Sequence, residues 1–329
     1  MINSTSELIK NFLHQRVEAI ELEQLQTELL EESTPSLAYL ILTIGSCTIA
    51  TLGLITNSAA VIIGAMVIAP LMLPIRGLAY GALTGNIILF RRGLIAIVLG
   101  TLLSIGLAYN LELLVKISAF DTEVLSRSKP TLLDLAIALT AGSISGYAKV
   151  KPEISGSLVG TAIAVALMPP ICVIGLGLAQ ANWSLSKGAA ILYLTNLLGI
   201  TLACMLTFLI MGYSPIKRAG TALFWTLLLT SILLLPLSVS FAQLIQQTNL
   251  ETSLKNALLT KTITFQRMEL LKTNINWLTN PPQARLTVRT KVPVTPRQVG
   301  LLEDFVQKEM GQPLTLIFEI SQVQEVRKK

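Results

Sequence analysis

Arg76 is the residue in this sequence best placed to do chemistry. It lies in the apolar stretch 58–84, about 7 Å past its middle at a helical rise of ~1.5 Å per residue. A charge inside a membrane-spanning stretch usually faces a cavity or a partner. A guanidinium facing a cavity there would suit a small anion. Two plainer readings stand beside it. Arg76 could snorkel to the interface, or it could close an ion pair with Glu112, Asp134 or Glu153 near the segment ends. Four hydroxyls, Thr43, Ser46, Thr140 and Ser143, could line the same path and coordinate an ion or substrate. Their alternative use is hydrogen bonding across helices or to their own backbone, worth about 0.6 kcal/mol on average.

Prolines must shape the elements that carry these groups. Pro70 and Pro74 fall inside one apolar stretch, and Pro169 and Pro170 inside another, 154–180. Each removes a backbone donor and clashes with the preceding turn, so both helices break near their middle. The freed backbone groups must face protein or a polar cavity, because lipid cannot satisfy them. Glycines supply close approach. Gly77, Gly81 and Gly85 recur every four residues, as do Gly142 and Gly146, and Gly156 and Gly160. Such stripes let helices pack closely. A lesser role is to let one part of the bundle rock against another.

The two broken segments belong to an internal repeat. Leu42-Thr43-Ile44-Gly45-Ser46 returns as Leu139-Thr140-Ala141-Gly142-Ser143, 97 residues on. Leu71-Met72-Leu73-Pro74-Ile75 returns as Leu167-Met168-Pro169-Pro170-Ile171, 96 residues on, and Gly64 and Gly81 return as Gly160 and Gly177. Arg76 returns as Cys172, so any role for its charge is asymmetric. Each copy holds about three spans of ~20 residues. An odd number makes the second copy enter from the other side, the inverted arrangement that places a shared site near the midplane in many transporters.

Composition agrees with a membrane location. The 329 residues are 52% hydrophobic and 13% charged, against about 25% charged in a soluble protein. Apolar segments run roughly 37–55, 58–84, 93–115, 131–148, 154–180, 188–212 and 219–243. The expected fold class is therefore an α-helical polytopic membrane protein. It has two inverted three-span repeats, 37–115 and 131–212, and a seventh span, 219–243. Before them, residues 6–32 read as an acidic amphipathic helix with Leu8, Phe12, Ile20, Leu25 and Leu29 on one face. Residues 1–36 hold seven Glu and two basic residues. Such acidity does not suit an anionic membrane surface, so a soluble helix packing on a loop or a neighbouring subunit is expected, on the cytoplasmic side by the loop charges.

Residues 250–329 change character. Leu286, Val288 and Val292 alternate with Arg285, Arg289 and Lys291, the pattern of a half-buried strand. Thr295-Pro296-Arg297-Gln298 is a helix start, and Leu314, Leu316, Phe318 and Ile320 alternate again. With a further strand in 263–278, this reads as a small soluble α/β domain, similar in element order to the BON domain. Short-loop Lys and Arg favour the N-terminal side slightly. That puts the N-terminus in the cytoplasm and residues 250–329 on the other side of the membrane.

Several chemistries are set aside. There is no GxxxxGK[ST] loop, and Gly175-Leu176-Gly177 lacks a third glycine. The one histidine, His14, lies in the polar N-terminal segment. Cys47, Cys172 and Cys204 lie far apart with no CxxC pair, so neither a zinc site nor a disulfide framework is indicated. No catalytic constellation, metal site or cofactor is expected, although a serine-based intramembrane site needs so few residues that it stays open. Expected partners are membrane lipids, a small anionic solute and further copies of the chain. No basic stretch is interleaved with aromatics, so nucleic acid is not among them.

The run Asn57-Ser58-Ala59-Ala60-Val61-Ile62-Ile63-Gly64-Ala65-Met66-Val67-Ile68-Ala69-Pro70-Leu71-Met72 resembles the bacterial hydrophobic membrane proteins known as domain of unknown function 389. The resemblance covers roughly residues 37–181. It implies an integral membrane protein of bacterial type and brings no activity with it. Leu73 stands where a glycine is common in the family, and Arg76 adds a charge soon after the proline. From the repeat, the broken helices and Arg76, the expected function is that of a transporter or channel for a small solute, an anion being the one Arg76 suits, at the repeat interface in the bacterial inner membrane. The alternative is a lipid-binding or scaffolding protein whose soluble domain binds a partner.

Overall fold

A proline decides where the second apolar stretch stops being one helix. The computed structural model describes residues 21–116, 119–151, 167–214, 216–261, 269–276, 281–290, 294–310 and 313–322. In chain order its first helices are α1 (Leu22–Glu32), α2 (Leu37–Ile55), α3 (Ala59–Ile68) and α4 (Met72–Thr84). The residue before a proline is pushed out of the helical region, and Ala69 sits at φ −62°, ψ 121°. α3 therefore ends at Ile68, and α4 leaves the break bent by 51°. Pro74 lies in the first turn of α4, where a helix has spare N–H groups anyway. Helix α8 (Met168–Ala179) likewise opens with prolines in its first turn.

The remaining helices are α5 (Ile87–Val115), α6 (Thr122–Ser126), α7 (Leu132–Val150), α9 (Trp183–Ile210) and α10 (Ile216–Lys261). The repeat reappears in their boundaries. α4 and α8 start at residues 72 and 168, and α5 and α9 at 87 and 183, so both offsets are 96. The caps repeat too. Asn86 Oδ1 accepts from the Leu89 N–H at 3.2 Å, and Asn182 Oδ1 from the Leu185 N–H at 3.1 Å. Before each cap a glycine admits the next helix. A Cβ would lie 2.5 Å from Phe90 N at Gly81 and 2.4 Å from Ser186 Oγ at Gly177.

The two hairpins turn at opposite ends of α5. The first turns at Gly85 and Asn86, directly before α5 begins. Near the second, Gln180 Nε2 donates to Glu112 Oε1 at 2.6 Å, in the last turn of α5. α5 has 29 residues, so about 43 Å separates its ends. α9 makes the converse contact. Just past its end Ser214 donates to the Leu83 carbonyl, in the last turn of α4, at 3.2 Å.

Among the described residues, α2, α5, α9 and residues 220–242 of α10 are long and apolar enough to cross a membrane. The bent pair α3–α4 makes a fifth if it counts as one span. Among the described residues, the seven expected spans are therefore not all present as long apolar helices. α7 has 19 residues but carries Asp134 and Lys149 near its ends. The first half of the stretch 154–180 lies outside the described residues, and only α8 of it is seen. α2 and α5 are held together by the Tyr39 hydroxyl, which donates to the Ala96 carbonyl at 2.7 Å. Between the copies, Thr101 and Tyr193 share a hydrogen bond at 2.6 Å, and the buried thiols of Cys47 and Cys172 lie 3.7 Å apart.

The chain divides into two compact units, Met1–Phe241 and Ala242–Lys329. In the second, β1 (Glu269–Asn276) pairs antiparallel with β2 (Gln283–Thr290), and β2 pairs parallel with β3 (Thr315–Gln322). The expected strand, helix, strand order is present, with α11 (Pro296–Met310) between β2 and β3. Its capping box is made: Thr295 N donates to Gln298 Oε1 at 2.9 Å and Gln298 N to Thr295 Oγ1 at 3.4 Å. Leu286 and Val288 are fully buried beneath Leu302 and Val306, so one sheet face is covered. Leu254 and Leu258, from the end of α10, join that core.

Candidate anion site at the helix break

The break between α3 and α4 opens a cavity of about 250 Å³. Ile68, Ala69, Pro70 and Met72 form one side, Leu42 of α2 and Ala148 of α7 stand around it, and Arg76 and Ser145 are its polar lining. Arg76 reaches it because α4 restarts at Met72, placing residue 76 one turn beyond the break. Its side chain is 15% exposed.

The partner of Arg76 comes from outside the apolar segments. Arg76 Nη2 lies 3.3 Å from Glu32 Oε2, at the end of α1. Lys149 Nζ of α7 meets Glu32 Oε1 at 2.9 Å and Glu28 Oε2 at 2.5 Å. The Lys149 side chain is only 9% exposed. One carboxylate thus bridges two cations from different helices. Lys149's hydrogen bond, and after it that of Gln24, holds the Glu28 carboxyl below its ordinary value of 4.5. Among the described residues Arg76 Nε–H, itself buried, finds no hydrogen-bond acceptor.

α1 is seated by packing as well as by charge. Leu25 and Leu29 are fully buried and belong to the main core. Ser33 fits against α4 only because residue 77 is glycine. A Cβ there would lie 1.7 Å from Ser33 Oγ and 3.2 Å from the Leu29 carbonyl oxygen. Arg92 Nη1 donates to Thr34 Oγ1 at 3.2 Å, tying the same end of α1 to α5.

The other sequence-selected residues are placed as follows. Thr43 and Ser46 are buried, Thr140 and Ser143 exposed. All four hydroxyls donate to carbonyls of their own helix: Tyr39, Thr43, Ala136 and Leu139 respectively. None of them lines the cavity, where Ser145 stands instead. Of the expected partners of Arg76, Glu112 is buried against Gln180 and Asp134 caps α7 through the Thr131 N–H at 2.7 Å. Glu153, Gly156 and Gly160 lie outside the described residues. Gly142 and Gly146 do pack, against Ile200 and Thr207 of α9, Gly85 takes φ 73° as the cap of α4, and Gly64 faces open space.

Sequence reasoning missed Glu28, Glu32 and Lys149. A signal was there: Glu28 and Glu32 are four residues apart, as are Leu25 and Leu29, so each pair shares a helix face.

Residues 66–202 match the family model described as Domain of unknown function (DUF389). An uncharacterized protein of Methanocaldococcus jannaschii is 29% identical over 197 residues. The match covers 60% of this chain and 60% of that protein's length, so the shared part is well short of the whole relative. That relative is archaeal, and the match does not carry the bacterial type expected from residues 57–72. No solved structure matches. The matched region holds the break, Arg76 on the cavity wall, Lys149 and both hairpin turns, whereas Glu28 and Glu32 precede it.

Proposed function

We propose that this chain, with its domain of unknown function 389 at residues 66–202, is a membrane carrier or channel for a small anionic solute. The observation that carries the reading is Arg76 on the wall of a cavity at a broken membrane helix. Helix ends at such a break offer unpaired backbone groups, and a guanidinium selects negative charge. Hairpins turning at opposite ends of α5 favour inverted copies. With the loop charges, the reading puts the N-terminus in the cytoplasm.

A second reading rests on a different observation. An apolar groove of about 670 Å³ lies between α4, α5, α9 and α10, with Leu78, Phe90, Leu197 and Trp225 on its walls. An acyl chain would fit it, as expected of a lipid-binding protein without transport.

Flux of small anions through vesicles containing the purified protein tests the two. Arg76→Gln is expected to reduce flux while the folded bundle persists. Removing one partner leaves the other charge unpaired, so Arg76→Gln with Glu32→Gln is measured beside it. If the double variant regains full flux, or if the wild type moves no anion, the transport reading falls and the groove reading takes its place.

A further inference from the structure

We infer that Arg76 and Lys149 form a two-cation site for a free oxyanion, a carboxylate or phosphate, and that α1 occupies this site with its own Glu28 and Glu32. The inference deepens the transport reading and rests on it.

Two largely buried cations converge here from helices of different copies, α4 and α7. Each oxygen of Glu32 lies by one cation: Lys149 donates to Oε1 at 2.9 Å, while Oε2 stands 3.3 Å from Arg76 Nη2 as an ion pair without a hydrogen bond. A bound solute carboxylate or phosphate would present the same pair of oxygens to the same two groups. With α1 in place, the arginine keeps a buried Nε–H that finds no acceptor among the described residues, and its side chain lines the cavity. With α1 lifted, Arg76 on the cavity wall and the buried Lys149 beside it would lose the carboxylates of Glu28 and Glu32, which is costly unless an anion replaces them. Docked α1 and a bound anion are therefore alternatives. Gly77 makes the docking possible, since any side chain there would strike Ser33. The acidity of α1, unsuited to an anionic lipid surface, is what a cationic site requires.

The experiment uses the full chain in vesicles of zwitterionic lipid, with inorganic phosphate and succinate as probes. Amide hydrogen exchange over residues 22–32 reports α1 directly. Either probe is expected to speed that exchange and to saturate. Glu28→Gln with Glu32→Gln should speed it without any probe. It should also tighten probe binding by about tenfold, the factor expected if wild-type α1 is undocked about a tenth of the time. Adding Lys149→Gln to that double variant should abolish the tightening. Exchange that neither probe moves, or equal affinity in wild type and the double variant, overturns the inference. Exchange that responds to phosphatidylglycerol in the vesicle and not to free phosphate or succinate also overturns it, in favour of a lipid headgroup. Flux is measured separately. Absent flux with the expected exchange and binding would remove the transport reading and leave the site standing.

Discussion

At the scale of single residues, the charge at position 76 was legible, but its surroundings were not. A lone arginine in an apolar stretch announces itself. Its partner lies 44 residues earlier, in a segment whose acidity pointed away from the membrane. Lys149 looked like one of several loop charges, and only the folded α7 turns it inward. The four hydroxyls were ambiguous for a physical reason: a serine or threonine in a helix can always bond its own backbone, and here all four do. Two predictions belong at this scale. Gly77→Val should lift α1, because the added atoms overlap Ser33 and the Leu29 carbonyl. Exchange over residues 22–32 should rise several-fold, and Ser33→Ala should restore docking only in part, since a Cβ at 77 would still lie 3.0 Å from the residue-33 Cβ and 3.2 Å from the Leu29 carbonyl oxygen. The second concerns acid. Glu28 has its carboxyl lowered by Lys149 and Gln24. Its contribution to docking is fully present above its ordinary value of 4.5 and is lost as the pH falls through the lowered one. A spin label at the exposed Glu31 should therefore gain mobility below that range. Glu28→Gln should make the label mobile at neutral pH and flatten its pH profile.

At the scale of elements, the breaks were legible because proline acts locally. Ala69 and Pro70 needed nothing distant to end α3. The Asn86 and Asn182 caps carried an equally local signal, an asparagine directly before an apolar run, at the same offset as the prolines. What the repeat could not reveal is that equivalent positions differ in use. Gly45 and Gly142 correspond in sequence. A Cβ at Gly142 would lie 2.5 Å from the Ile200 carbonyl oxygen, whereas nothing lies within 4 Å of one at Gly45. Gly142→Leu should lower the unfolding temperature of the bundle strongly, by a destabilisation of about 1–3 kcal/mol or more. Gly45→Leu should leave it nearly unchanged. Equal losses measured by thermal unfolding in detergent would show that the two sites are packed alike.

At the scale of the whole molecule, the membrane class and the helical character of the chain followed from composition, and the covered sheet of residues 269–322 from alternation. The number of spans did not follow so directly. Hydropathy treats 58–84 as one segment and cannot see a bend of 51°. It also counts 131–148 as a span, although Asp134 and Lys149 make α7 less apolar than its neighbours. Direction through the membrane depends on which end of α5 each hairpin meets, a long-range contact invisible to local pattern. The hairpins place Ile87 and Trp183, exposed at 71% and 62%, at opposite ends of α5. Cysteines introduced at these two positions should react with an impermeant reagent from opposite sides of a sealed vesicle. Reaction of both from one side would rule out inverted copies.

The hairpin caps also have a consequence for biosynthesis. Gly81 with Asn86, and Gly177 with Asn182, close their turns through contacts fewer than ten residues apart. Contacts of such short range form early and need no other part of the chain. Each hairpin can therefore close as soon as its own helices have left the ribosome. The link between Thr101 and Tyr193 must wait for 92 further residues. Until then the first copy presents a face in the bilayer with no helix to cover it. The slowest step in assembly should be the meeting of the two copies, and a translational pause after the first would lengthen the life of that half-built state.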